Sequence, residues 1–437
     1  MILLVSVSLF AQTLSLEQAR VLALANSRSL AKYDLSIKSS ILDEKNQFYS
    51  MLPSLSAGYS ASMNYLDKDW GFVNPLDTFT TGMNFKVTQK IFEGGKSLVQ
   101  KALNSIATES VRKEAQAEYF NVLDSVDSAY YAALEAAASL EAAESSLQTA
   151  ALSLSIAEIR QASGMINQGD YLKALADKEQ KENSRNQARR SLSLSMTKLK
   201  ALTGIAQTAE LAEVDFSAYE GTIQFLAAIS DDETQMLYDR FWKLLVRTNP
   251  SLARAALTSQ RAEKNLSLAK RDFAPTVSAT IFSTSFGYSA AGEFGSTSGG
   301  GISIEGSIPI DFWLRKNRID KSKIARDSAG LDYLSAEISL ETELETALLN
   351  TIGQAGSVLS SRRALEYAEK HFEYIMERYR LSQSSVSDAG DASSLLITNR
   401  NNFIKARYGF LQSLSKLRSL GAFDDESILI ELLNMAD

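Results

Sequence analysis

The sequence predicts an α+β protein built as a tandem repeat, each half running helix, β-hairpin, long helix and shorter returning helix. Three observations carry this reading. First, residues 98 to 163 contain no proline and no internal stop signal, and within them Leu123, Val126, Tyr130, Ala133, Ala137, Leu140, Glu144, Leu147, Ala151 and Leu154 follow alternating steps of three and four. A 3.5-residue repeat held over four heptads makes a helix that coils around neighbours, and at 1.5 Å per residue the stretch would extend about 100 Å. Glu144 is the one break in this apolar seam. Second, two stretches switch to a period of two. Third, the whole pattern recurs about 220 residues later.

In order, residues 1–11 (MILLVSVSLFA) form a short apolar run ending in alanine, which reads as the remnant of a secretory signal cleaved after Ala11. It is too short to span a membrane as a helix. A first repeat is expected over 12–204. It opens with a helix from Leu16 to Met51, ended by Pro53. Strict alternation follows in 54–66, where Leu55, Ala57, Tyr59, Ala61, Met63 and Tyr65 face one way and small or polar residues the other. After a polar loop with Trp70, Gly71, Asn74 and Pro75, alternation resumes in 78–92. There Phe79, Met83, Phe85, Val87 and Ile91 oppose Asn84, Lys86, Thr88 and Lys90. Strands of this length with one apolar face fit either membrane-spanning barrel strands or a half-buried soluble hairpin.

Glu93-Gly94-Gly95 breaks the chain before the long helix, which ends near Gly164, and a second helix is expected from Asp170 to Leu202. Its polar stretch between Lys178 and Arg190 reads as a solvated face. Residues 205–234 are mixed and acidic and read as a linker. The second repeat, 235–421, aligns Ser29 with Ser251 and Pro53 with Pro275, and a shift of 218 aligns Arg160 with Arg378, Asp170 with Asp388 and Leu202 with Leu420. It supplies strands at 276–288 and 301–310, a Gly/Ser loop over 289–300, a long helix at about 316–383 and a C-terminal tail over 422–437.

Composition narrows the function. The chain has no cysteine and one histidine, His371, so thiol chemistry, zinc clusters and Ser-His-Asp arrangements have no residues to work with. Net charge is −7 with both signs interspersed, which excludes a nucleic-acid stripe. No cofactor-binding motif is present, and no enzyme activity is expected. Four strands per chain cannot close a barrel, and a bilayer forbids open sheet edges, so several chains must contribute to one barrel. Both strands of each hairpin connect to helices at the same end, which hangs all the long helices from one side of the membrane.

These residues resemble the TolC family of outer-membrane efflux proteins. The carriers are Leu16-Glu17-Gln18-Ala19, Leu24-Ala25-Asn26, Leu52-Pro53-Ser54-Leu55, the run Gln89 to Lys96 (QKIFEGGK), its counterpart Ile308 to Trp313 (IPIDFW) and Ala406-Arg407-Tyr408. Their order and duplication carry the match. The resemblance implies a homotrimer with a twelve-stranded barrel in outer-membrane lipid, continued across the periplasm by an α-helical barrel. It implies a passive exit duct for drug efflux or type I secretion, docked to a periplasmic adaptor and an inner-membrane efflux or ABC transporter. The competing reading is a soluble periplasmic coiled-coil adaptor or scaffold.

The resemblance also places a periplasmic entrance at the helix turns. Asp388 and Asp391, three apart, would form stacked carboxylate rings in a trimer, a field that attracts cations; the alternative is N-terminal capping of the following helix. Arg378, Tyr379, Asp170 and Gly164 are the latch candidates. The family's turn glycine is retained as Gly164 but is Ser382 in the second repeat, and its nearby arginine is replaced at Ser384.

Overall fold

A computed structural model describes residues 13–62, 80–205, 210–288, 294–308, 310–424 and 426–434. The expected signal remnant, residues 63–66 and 78–79 of the expected strands and the loop around Trp70 lie outside the described residues. The first repeat comprises α1 (Leu16–Asn26), α2 (Arg28–Tyr49), β1 (Ser54–Ser62), β2 (Thr80–Phe92), α3 (Lys96–Ala162) and α4 (Gln168–Thr203). Between the repeats lies α5 (Glu220–Ala228). The second repeat comprises α6 (Asp231–Thr248), α7 (Pro250–Lys270), β3 (Thr276–Tyr288), β4 (Phe294–Ser307), α8 (Phe312–Arg380) and α9 (Val386–Gly421), and α10 (Glu426–Asn434) closes the chain.

Four expectations need correction. The opening helix is two helices, because Ser27 adopts an extended conformation and its hydroxyl accepts the N–H of Leu30 (3.3 Å), starting α2 afresh. The same break recurs in the second repeat, where Asn249 accepts from Leu252 N–H (2.9 Å) and Pro250 takes the first helical position, suited to a residue without an N–H. The stretch 205–234 carries α5 and the start of α6, which a Ser230–Glu233 capping box begins. The tail carries α10, whose Leu429 and Leu433 are fully buried. Finally, β4 starts at Phe294 and stops at Ser307, so its Gly/Ser stretch is strand and Ile308 and Ile310 lie beyond it.

The chain divides into two compact units. Residues 33–114 and 254–336 form the first, which contains one antiparallel sheet in the order β1-β2-β3-β4. The registers Leu55↔Val87, Val87↔Ile281 and Ile281↔Ile302 line apolar residues across all four strands on one face. That face is open: Leu55, Tyr59, Ile302 and Ile304 are each at least 70% exposed. No helix among the described residues is long and apolar enough to cross a membrane. At the foot of the sheet, Gly94 and Gly95 have φ of 63° and 72°, and a Cβ on Gly94 would lie 2.2 Å from that of Ala274, so this reversal requires glycine. Asp272 anchors the same level, pairing with Lys96 (2.8 Å) and Arg318 (2.7 Å). Burial pushes its carboxyl up, but these hydrogen-bonded cations outweigh that and hold it below the ordinary aspartate value.

Residues 1–32, 115–253 and 337–437 form the second unit. The seam of α3 is buried as expected from Leu123 to Ala133, then steps over by one residue to Ala136, Ala143, Ala150 and Ala157. Glu144, one residue past the new row, is exposed. Its charge therefore costs no desolvation in the chain, and the break in the seam is explained. Tyr130 is pinned within the unit, its hydroxyl 2.8 Å from Leu14 O and 2.7 Å from Ala212 O, the carbonyls of the bridged segments around Leu14 and Leu211. Burial pushes this phenol up to about 12. Asp127, fully buried, accepts two bonds from Arg20 (2.7 and 2.8 Å), one from Ser415 (2.8 Å), and pairs with Arg418 (3.2 Å).

The two repeats solve their helix ends differently. Gly164 and Gly204 adopt left-handed φ of 74° and 76°, while their partners at the same shift of 218, Ser382 and Ala422, hold φ of 62° and 53°. A side chain in that region costs about 1–2 kcal/mol. Ser382→Gly and Ala422→Gly are therefore expected to stabilise the protein by about 0.5–1 kcal/mol each and Gly164→Ala to destabilise it by about 1 kcal/mol, read as shifts of the denaturation midpoint.

Candidate functional site

The end of each long helix is built the same way. Met165 N–H donates to Arg160 O (2.8 Å) and Gly164 N–H to Gln161 O (2.9 Å); Gln383 N–H donates to Arg378 O (2.8 Å) and Ser382 N–H to Tyr379 O (3.1 Å). Both are Schellman closures with a left-handed residue at the turn. Ser382 thus performs the turn that Gly164 performs, at a cost in backbone strain rather than in geometry.

Tyr379 is the hub where the two ends meet. Its side chain is completely buried, packed with Ala157, Ala174, Met376, Val386 and Ala389. Its hydroxyl donates to Ser153 O on α3 (3.2 Å), and the Arg160 guanidinium lies 4.3 Å over its ring while donating to its carbonyl. Burial pushes the phenol up, Arg160 pulls it back, and the nearby Asp170 carboxylate adds to the rise. Arg378 takes no part in this core. It caps its own turn, donating to Gln383 O (3.2 Å) beside Tyr374.

Both following helices start from a capped turn. The Asn167 side chain accepts the N–H of Asp170 (2.9 Å). Ser385 accepts the N–H of Asp388 (3.1 Å), and the Asp388 carboxylate accepts the N–H of Ser385 (2.9 Å), which completes a capping box. These bonds from the backbone and hydroxyl of Ser385 hold the Asp388 carboxyl below its ordinary 3.8. Capping is therefore present for Asp388, and the residue is also exposed, so it keeps its charge toward solvent. Asp391 is exposed too and borders a cavity of about 270 Å³ with Asp177, Lys173 and Ser394. Across this junction of α4 and α9, Lys173 bonds Ser387 (2.9 Å) and the buried Lys181 bonds Ser394 (3.3 Å).

The structure thus joins Tyr379 with the end of α3, sets Asp170 near it, and leaves Arg378, Asp388 and Asp391 on exposed positions around the turn. Sequence reasoning missed Arg160 as a functional residue, although it is the repeat mate of Arg378. The Ser-x-x-Asp spacing at Ser385 and Asp388 was the available signal for the capping box. Among the described residues no group of His, Asp or Glu is placed to hold a metal, and His371 is exposed.

The model of the outer membrane efflux protein family matches residues 19–205 and 243–422. The chain belongs to this family. Its two matched segments fall on the two repeats. No curated protein matches. Solved structures agree on the fold: a membrane protein from Pseudomonas aeruginosa (16% identity, TM-score 0.78) covers 93% of this chain and 90% of its own. The Campylobacter jejuni CmeC outer membrane channel (16%, 0.76) covers 96% and 89%, and the open state of the Neisseria gonorrhoeae MtrE outer membrane channel (15%, 0.72) covers 93% and 88%. As an outer membrane efflux protein of the TolC type, the chain is a non-catalytic channel component of the outer membrane with a periplasmic extension. The helix turns just described are its candidate entrance.

Proposed function

We propose that three copies of the chain assemble into one passive duct. Each contributes its four strands to a twelve-stranded barrel, and the long helices continue as a periplasmic tube. The observation that carries this reading is the sheet: β1 and β4 have no neighbour on their outer edges among the described residues, and the continuous apolar face is bare. Closing the edges against other copies pairs their backbone groups, and lipid covers the apolar face. A soluble adaptor would not leave isoleucines 74% exposed across an open sheet. The duct passes drugs or other small molecules, or a type I secreted protein, and docks to a periplasmic adaptor and an inner-membrane efflux or ABC transporter, as family members generally do.

At the entrance, Asp388 and Asp391 form two rings of three carboxylates, with Tyr379, Arg160 and Gly164 holding the turns that carry them and Asp170 and Arg378 flanking. The capping box fixes the Asp388 carboxylate in its ionised form. Asp388→Ala with Asp391→Ala is expected to lower cation preference several-fold, read as a shift of the reversal potential in a planar bilayer under a salt gradient. A pore whose selectivity does not move removes the carboxylate rings and leaves the duct standing.

A further inference from the structure

The face of the sheet opposite the apolar one is not uniform. Across the four strands it reads in rows: Ser54, Thr88, Thr280, Ser303; then Ser56, Lys86, Phe282, Gly301; then Gly58, Asn84, Thr284, Gly299; then Ser60 and Gly82. Among these described residues Lys86 is the single charge. The next charges on the face, Lys90 and Glu305, lie toward the helices, and Lys90 is already paired with Glu93 (2.7 Å). Lys86 has no ion-pair partner among the described residues and is exposed.

Its neighbours are equally particular. Lys86 is in register with Ser56 on one side and Phe282 on the other. Directly opposed antiparallel residues have Cβ atoms about 4.5–5.5 Å apart, within reach of a lysine stem and a phenyl ring. Phe282 is the one aromatic residue in these four rows. Its ring covers Gly301, where an added Cβ would lie 2.9 Å from the ring edge. A glycine there leaves room for the ring to lie flat against the sheet rather than stand away from it.

We propose that Lys86 and Phe282 form a contact site for anionic, amphiphilic solutes inside the barrel, at the level of the membrane. This rests on the trimeric barrel reading, under which the row is repeated three times around one lumen. Three ammonium groups without an ion-pair partner among the described residues, in a passage walled by low-dielectric material, focus a positive potential, and the phenyl rings offer an apolar seat beside each cation. The site lies in the sheet unit and is distinct from the acidic residues of the entrance, so the two carry opposite charge. Solutes leaving the duct would meet it as a transient, multi-site contact, strong enough to attract an anion and weak enough to release it.

The chain has no cysteine, so single cysteines report local potential cleanly. Asn84→Cys and Ser303→Cys place thiols on the same face, Asn84 being about 7 Å from Lys86 along the strand. In the intact protein in liposomes, the rates of modification by an anionic and a cationic methanethiosulfonate reagent are compared with Lys86 present and with Lys86→Ala. The site predicts that the anionic-to-cationic rate ratio at both reporters falls at least about threefold when Lys86 is removed, and that Lys86→Arg retains it. A ratio unchanged by Lys86→Ala at both reporters overturns the proposal. A thiol on the opposite face, Val87→Cys, separates the two readings. If hydrophilic reagents label Val87→Cys but not Asn84→Cys or Ser303→Cys, the barrel orientation itself is wrong. With Phe282→Leu, loss of protection of Ser303→Cys by an aromatic sulfonate, but not by chloride at the same ionic strength, is the expected result for the apolar part. Equal protection by both anions, or none by either, overturns the role of Phe282.

Discussion

Asp127→Ala is expected to destabilise the protein by about 3–5 kcal/mol, enough to remove most of the folded population of an ordinary domain. The carboxylate is fully buried and takes two bonds from Arg20 and one from Ser415, while Arg418, 3% exposed, is drawn to it at 3.2 Å. Truncation leaves the buried Arg418 guanidinium without its carboxylate in the protein interior, and that desolvated charge dominates the cost. Nearby Asp124 shares the Ser415 hydroxyl (3.2 Å), and burial pushes its carboxyl up. The contact joins α1, α3 and α9, elements more than a hundred residues apart in sequence, so the loss is global. Unfolding monitored by circular dichroism is the check. A double replacement of Asp127 and Arg418 by apolar residues is expected to recover much of the loss, since it removes the buried cation together with its carboxylate.

Tyr379→Ala is expected to cost about 3–5 kcal/mol, concentrated at the helix turns. The substitution removes a fully buried ring from the centre of a cluster of Ala157, Ala174, Met376, Val386 and Ala389, deletes the bond to Ser153 O and exposes the Arg160 guanidinium to the void. Tyr379→Phe keeps the ring and loses the one hydrogen bond, for about 1 kcal/mol. Hydrogen exchange is the informative measurement: the alanine variant should lose protection over 153–174 and 372–392, and the phenylalanine variant should keep it there. Under the duct reading the alanine variant also has a looser entrance and a higher resting conductance.

Much of this architecture was legible because its signals are periodic. The change from a period near 3.5 at Leu123–Ala133 to a period of two at Leu55–Ala61 marks helix and strand through elementary geometry. The shift of 218 that aligns Arg160 with Arg378 also aligns Gly164 with Ser382 and Gly204 with Ala422. The misses have a common origin in contacts that sequence spacing does not encode. Ser27 ends a helix although it sits in helix-compatible composition, because its hydroxyl caps Leu30 and Asn26 donates to Thr203 O (2.6 Å), far along the chain. The stretch 294–300 reads as a loop on propensity, yet cross-strand pairing with 283–288 makes it strand. Arg160 and Arg378 are equivalent in the repeat, but only the structure shows one buried against Tyr379 and the other on the surface. The seam at Glu144 looked like a defect because a strict heptad was extended past Ala133, where the buried row moves back by one residue to Ala136, Ala143 and Ala150.

Under the duct reading, three copies of this chain enclose a water-filled passage through the outer membrane. Purified protein, shown by native mass measurement to be a trimer, should be added to a planar lipid bilayer and its single-channel currents recorded. Discrete, ion-conducting steps are predicted, larger in the Tyr379→Ala variant; correctly trimeric protein that inserts and passes no current would contradict the account.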